Sequence, residues 1–438
     1  MPPAHARPEL GCALTAVVLV GAAILGALGG WAPARGEAPP ALVVNMQPVP
    51  NASGESRTYS RLGDVRFTNP FFARLGTHGR SCATCHVPED GWTLVPREVQ
   101  QRFDATAGED PLFRTVDAST SPRADVSTVE ARRRAYSLLL RRGLLRIGLA
   151  VPSDAEFVVQ AVDDPYAFAS PRELSLFRRP LPATNLGFLT TVMWDGRETR
   201  PGSSMHEALL RQVNAAARTH LEVPADLPPS ESNAVVALLT SLFTTQTRVT
   251  GAGTLPDGPA DLAGEPFVAG INSRPFVPDV FTLFGTWRAA SDPLFPARAA
   301  IGRGEALFNR RRFAGGLTCS TCHSSPNVGN SSTGEFFDIG VSAVRRRTAD
   351  LPLYTLRCST TGALVRTTDP GRALVTGRCT DIGMFKVPAL RGLSTRAPYF
   401  HDGSAQTLED VVDLYNARFG MGLTTNDRAD LVMFLRAL

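Results

Sequence analysis

Cys82-Ala83-Thr84-Cys85-His86 and Cys319-Ser320-Thr321-Cys322-His323 each set two thiols three positions apart and follow them directly with an imidazole. This spacing suits covalent attachment of c-type haem: the thiols add across two vinyl groups and the adjacent histidine ligates the iron from one side. One copy alone also reads as a zinc or redox cysteine pair with a chance histidine. Two copies, each followed by a loop containing proline and glycine, favour haem. The sequence therefore predicts two covalent haem c groups, one on Cys82, Cys85 and His86, the other on Cys319, Cys322 and His323. His86 and His323 are the expected iron ligands.

A chain of 438 residues is long enough for two haem domains and an insert. The expected fold is mainly α: two cytochrome c-like haem domains with long loops, the first spanning 39–290 with an insert and the second 291–438. A net charge of +4 implies neither an acidic nor a basic surface field, and no nucleic-acid partner is expected. Lys386 is the only lysine, which makes lysine-nucleophile chemistry improbable.

Residues 1–38 read as a signal peptide or an N-terminal anchor. Arg7 precedes an uncharged run from Gly11 to Trp31, and small residues cluster around Ala32, Ala34 and Ala38. Cleavage near Ala34–Ala38 and retention as a membrane anchor are both open, and either puts the body outside the cytoplasm, in the periplasm. Setting aside the four haem thiols and Cys12 in the leader leaves Cys358 and Cys379, an expected disulfide in an oxidising compartment.

The positioning elements are expected as follows. Residues 39–60 read as a flexible leader, and Thr128–Leu149 as one helix carrying a solvated arginine face. Further helices are expected at Met205–Thr219, Glu231–Thr244, Ala299–Asn309, Leu408–Arg418 and Asn426–Ala437. Gly251–Gly264 reads as linker, and 326–380 as a strand-poor loop region holding the cysteine pair.

The two halves read as a diverged repeat, each with a haem motif, a Pro-rich segment, an aromatic-Asp-Gly turn and a helix. Aligning Glu207 with Glu409 sets Val213 opposite Tyr415. Tyrosine can ligate haem iron and valine cannot. One closed haem for electrons and one open haem for chemistry is the expectation. Met421 and Met384 are rival sixth ligands for the second haem.

Phe385-Lys386-Val387-Pro388-Ala389-Leu390-Arg391, Ala397-Pro398-Tyr399-Phe400-His401-Asp402-Gly403-Ser404, Thr407-Leu408-Glu409 and Trp194-Asp195-Gly196-Arg197 resemble the bacterial dihaem cytochrome c peroxidase / MauG family. The resemblance runs from about Phe67 to Leu438, apart from the insert after the first haem. It implies that the N-terminal haem binds peroxide, that Trp194 relays electrons between the haems, and that Tyr415 is the distal ligand of the C-terminal haem. Methionine is frequent there in the peroxidases, and tyrosine in MauG-like members. The family's distal glutamine and glutamate have no clean counterpart; Gln212, His220 and Glu222 are the candidates. The family also holds a calcium ion between its domains, through carbonyls equivalent to those of Arg396 and Pro398, and no convincing side-chain ligand for it is found. The leading functional expectation is reduction of hydrogen peroxide, or another small oxidant, with electrons from a small redox protein. Two alternatives stand beside it: a MauG-like oxidation of an organic or protein substrate, and a dihaem electron carrier with both irons six-coordinate.

Overall fold

The computed structural model describes residues 42–265, 270 and 276–438. The apolar run, Cys12 and the small residues near Ala34–Ala38 lie outside them. Among the described residues are eleven α-helices and five small antiparallel sheets, and no helix is long and apolar enough to cross a membrane.

The helices expected to begin at Met205, Glu231, Ala299, Leu408 and Asn426 stand within a few residues of those bounds, and three of them open on strong caps. Ser204 opens Met205–His220 with a capping box: its Oγ accepts from Glu207 N at 3.2 Å, and Glu207 Oε2 accepts from Ser204 N at 2.8 Å. Thr407 with Asp410 opens Leu408–Phe419 in the same way, and Gly420, in the left-handed region, closes it. Thr424 with Asp427 opens Thr425–Arg436.

Each haem motif sits against its own helical core. Around the first, Phe71 and Trp92 pack with Leu209 and Val213 of one helix and Val235 and Leu239 of Pro229–Ser241. Around the second, Ala297–Arg310 crosses Thr425–Arg436, with Phe308 5.3 Å from Phe281 and 5.5 Å from Phe434 between ring centres. The crossing is so close at Gly304 that a Cβ there would collide with the Asp430 carbonyl.

The sheets depart from the sequence reading. Residues 42–60 are no flexible leader: Gly54–Ser60 pairs antiparallel with Leu242–Val249, setting Tyr59 opposite Phe243. The helix expected to reach Thr244 accordingly ends at Ser241, where a run of threonines and valine takes the extended form it favours. Thr128–Leu149 is not one helix. It is Val129–Ala135, then Ser137–Arg142, ended by Gly143 at φ 63°, then a strand Leu145–Leu149 paired with Leu174–Arg178. Gly251–Gly264 contains a short strand, Gly253–Thr254, and the helix Pro259–Gly264. The 326–380 region is not strand-poor: Leu353–Cys358 pairs with Leu364–Thr367 on one side and with Phe157–Asp163, from the insert, on the other. That sheet buries Phe157, Leu174, Leu176, Tyr354 and Leu356 as a separate apolar core.

Cys358 and Cys379 are bonded, Cα to Cα 6.0 Å, at a sequence separation of 21. They clip the end of this sheet's central strand to the segment leading into the Phe385–Leu390 motif. Replacing both by serine is expected to cost about 3 kcal/mol on the loop-entropy estimate. Urea unfolding should show this as a lower midpoint.

Candidate haem sites and the septum between them

Both attachment turns are built alike. Ser81 N donates to Thr84 Oγ1 at 2.9 Å, and Thr318 N to Thr321 Oγ1 at 3.0 Å, so a hydroxyl within each C-x-x-C turn pins the residue before it. His86 Nδ1 lies 3.1 Å from the Trp92 carbonyl and His323 Nδ1 2.5 Å from the Gly329 carbonyl. A carbonyl can only accept, so each Nδ1 carries the proton and each Nε2 keeps its lone pair for a metal. Burial lowers both imidazoles to about 4, which keeps them neutral at ordinary pH.

Each histidine and its two thiols open onto an apolar cavity. The cavity at His86, about 180 Å³, is walled by Phe71, Leu209, Val213, Ala216 and Leu239; the one at His323, about 220 Å³, by Phe308, Val412, Tyr415, Leu431 and Leu435. Two thiols, a neutral imidazole with a fixed tautomer and an apolar enclosure are the donor set of haem c, and the residues fit that group.

The far walls differ. Tyr415 and Met421 both line the His323 cavity, whereas Met384 does not. Burial, with the thiols of Cys322 and Cys319 nearby, pushes the Tyr415 hydroxyl well above the usual phenol range. In the His86 cavity the repeat-equivalent position holds Val213, and Gln212 and His220 join the lining. Glu222 is not part of that lining. It is ion-paired with His78 and lies 3.7 Å from Arg114.

His220 has a partner that sequence reasoning missed. Its Nδ1 is 2.7 Å from Oδ2 of Asp117, a buried carboxylate of the insert. Arg80 grips the same carboxylate with two bonds of 2.8 Å and also donates to the carbonyls of Pro111, Leu112 and His220. Burial works to raise the Asp117 carboxyl, but the His220 and Arg80 contacts outweigh it and hold it below the usual carboxylate range. Arg80, two residues ahead of Cys82, could have been suspected from its position. Asp117 carries no spacing signal, because only tertiary folding brings the insert beside the helix end.

Between the cavities lies a septum whose residues face both: Arg179, Trp194, Lys386 and Arg396, with the prolines Pro180, Pro182 and Pro388. Trp194 Nε1 donates to the Arg179 carbonyl at 2.9 Å, and its ring stands edge-on to His401, 6.3 Å between centres. His401 in turn stacks on Phe385 at 4.0 Å. The Arg396 carbonyl, which the family resemblance assigns to calcium, accepts from Arg179 Nη2 at 3.1 Å. No cluster of three or more metal-ligating His, Cys, Asp or Glu side chains occurs among the described residues.

The turn carrying Trp194 is locked by Asp195, fully buried, which accepts from Arg178 at 2.6 Å and from Arg197 at 3.0 Å. Arg178 also binds Asp369 at 2.7 Å, tying the turn to the second half. Burial opposes ionisation of Asp195, but the two guanidiniums lower its pKa from 3.8 to about 2. A depressed carboxylate stabilises the fold above the unfolded value, and that contribution is lost as pH falls toward 2. Asp195→Asn should therefore flatten the acid limb of stability against pH, and lower stability near neutrality by about 3–5 kcal/mol because Arg178 loses a buried partner. Thermal melts from pH 7 to pH 2 test both.

Comparison with known proteins adds the family. No family model matches the chain. Cytochrome-c peroxidase IdrP1 of Denitromonas iodatirespirans is 30% identical over 171 residues, 35% of this chain and 44% of that protein. Cytochrome c551 peroxidase of Nitrosomonas europaea is 32% identical over 124 residues, 28% of this chain and 31% of its own length. The matches thus span less than half of these relatives. Methylamine utilization protein MauG of Methylophilus methylotrophus is 25% identical over 375 residues, 81% of this chain and 93% of MauG. With two C-x-x-C-H turns on two apolar cavities and a tryptophan in the wall they share, the chain is similar to the dihaem cytochrome c peroxidases and MauG.

Proposed function

We propose that the protein is an exported dihaem peroxidase that reduces hydrogen peroxide in the His86 cavity, with electrons from a small redox protein entering at the His323 side. The observation that carries this reading is the asymmetry of the far walls: Tyr415 in one cavity, Val213 with a carboxylate-held His220 in the other. A haem iron held by His86 would supply an open coordination position and the electrons that cleave the O–O bond.

The side chains do the rest. Asp117 holds the proton of His220 on Nδ1, which leaves Nε2 to take a proton from one peroxide oxygen and return it to the departing one. Arg80 keeps Asp117 ionised through that cycle. Val213, Leu209 and Ala216 offer no ligand atom and keep the pocket apolar. Gln212, also on the wall, can donate to a bound oxygen through its amide. Trp194, common to both cavities, carries electrons across the septum. The test is steady-state peroxide consumption with a reduced small-molecule donor: turnover is expected with the wild type, and its absence in a protein carrying two haems would reject the peroxidase reading.

A MauG-like oxidation of an organic or protein substrate is the second reading, favoured by Tyr415. An anionic oxygen ligand stabilises ferric iron and lowers the potential relative to methionine. Tyr415→Phe is expected to convert the C-terminal haem from low spin to high spin and raise its potential. An unchanged low-spin spectrum would move the ligand role to Met421, the other candidate in that cavity.

A further inference from the structure

Three cations are buried in the septum with no ion-pair partner among the described residues. Arg179, Lys386 and Arg396 are 5%, 7% and 7% exposed, and none forms a salt bridge. Arg179 is satisfied by neutral carbonyls of Arg142, Leu94 and Arg396. Lys386 Nζ has one bond, to the Thr191 carbonyl at 3.0 Å. Arg396 has no side-chain bond at all to Nε or Nη2, which are both buried and unpartnered. Burial lowers Arg179 and Arg396 to about 10 and Lys386 to about 8. The acids that bear on Arg179 are Tyr399 first and then Asp90, the latter raised to about 7 by burial and by Glu98.

Such an arrangement is unfavourable as it stands. A buried, unpaired cation is strongly unfavourable, because burial strips its water and no counter-charge replaces it. Native structures pair such groups, so anions belong here. All three side chains face both cavities at once. The anions must then be carried by whatever fills those cavities, and haem carries two carboxylates on one edge.

We propose that Arg179, Lys386 and Arg396 form one cationic seat that binds carboxylates of both haems and so couples their reduction potentials. This rests on the dihaem reading above and adds a role to residues outside the attachment motifs. A positive charge beside a haem disfavours the ferric form, so the seat raises the potential of each iron it touches. Because one lysine faces both cavities, removing its charge acts on both irons together.

The experiment is spectroelectrochemical titration of Lys386→Met and of Arg396→Gln beside the wild type, with haem counted by the pyridine haemochrome. In each variant both midpoint potentials are expected to fall, and the propionate bending bands in resonance Raman spectra to shift. Two haems with only one potential moved, or none, would overturn the shared seat. Fewer than two haems in the wild type would instead overturn the dihaem reading itself. Should Lys386→Met fail to mature, Arg396→Gln alone still decides, since its orphaned guanidinium makes the same demand. Unshifted Raman bands in that variant would count against the seat.

Discussion

His220→Ala is expected to slow the reaction of the protein with peroxide by about 10²–10⁴-fold, the usual contribution of a positioned acid–base group. Both haems should stay attached, because His220 is neither one of the attaching thiols nor the imidazole of the Cys82–His86 turn. Asp117→Asn should give a smaller loss, since the carboxamide oxygen can still accept from Nδ1 but carries no charge to stabilise the protonated ring. The pair of results separates a proton shuttle from a packing role. Single-turnover mixing with peroxide reads it directly. Equal rates in wild type and His220→Ala would return the role to Gln212 or to water.

Trp194→Phe is expected to slow oxidation of the C-terminal haem by about two orders of magnitude, or ~3 kcal/mol of barrier. The indole faces both cavities and is held by its bond to the Arg179 carbonyl. Phenylalanine fills the space, but it is far harder to oxidise and cannot make that bond. Both haems should remain bound with near-normal spectra, so the loss is one of rate alone. If peroxide oxidises the C-terminal haem equally fast in the variant, Trp194 only packs the septum.

Much of this was legible in the sequence because it is local. The C-x-x-C-H turns and the capping boxes at Ser204 and Thr407 each write their chemistry within a few neighbouring residues. Aligning one half on the other set Val213 against Tyr415, and both line the cavities of their respective motifs. What was not legible depends on distant partners. Leu353–Cys358 lacks a hairpin signal strong enough to announce a strand, and its second partner, Phe157–Asp163, lies nearly 200 residues earlier. Residues 48–60 are polar and Pro-containing, and became strands because Leu242–Val249 offers them an edge. Asp117 was invisible for the same reason. An acid in an insert means nothing until folding sets it between Arg80 and His220. The lone lysine argues against lysine-nucleophile chemistry by its rarity, but its burial in the wall shared by both cavities depends on tertiary packing.

On this reading the two haem sites differ: one is closed by a protein ligand and one is open. The electron paramagnetic resonance spectrum of the fully oxidised protein distinguishes them. One low-spin and one high-spin ferric haem are expected, with Tyr415→Phe leaving two high-spin signals. Two low-spin haems in the wild type would mean that neither site is open, and would make the protein an electron carrier.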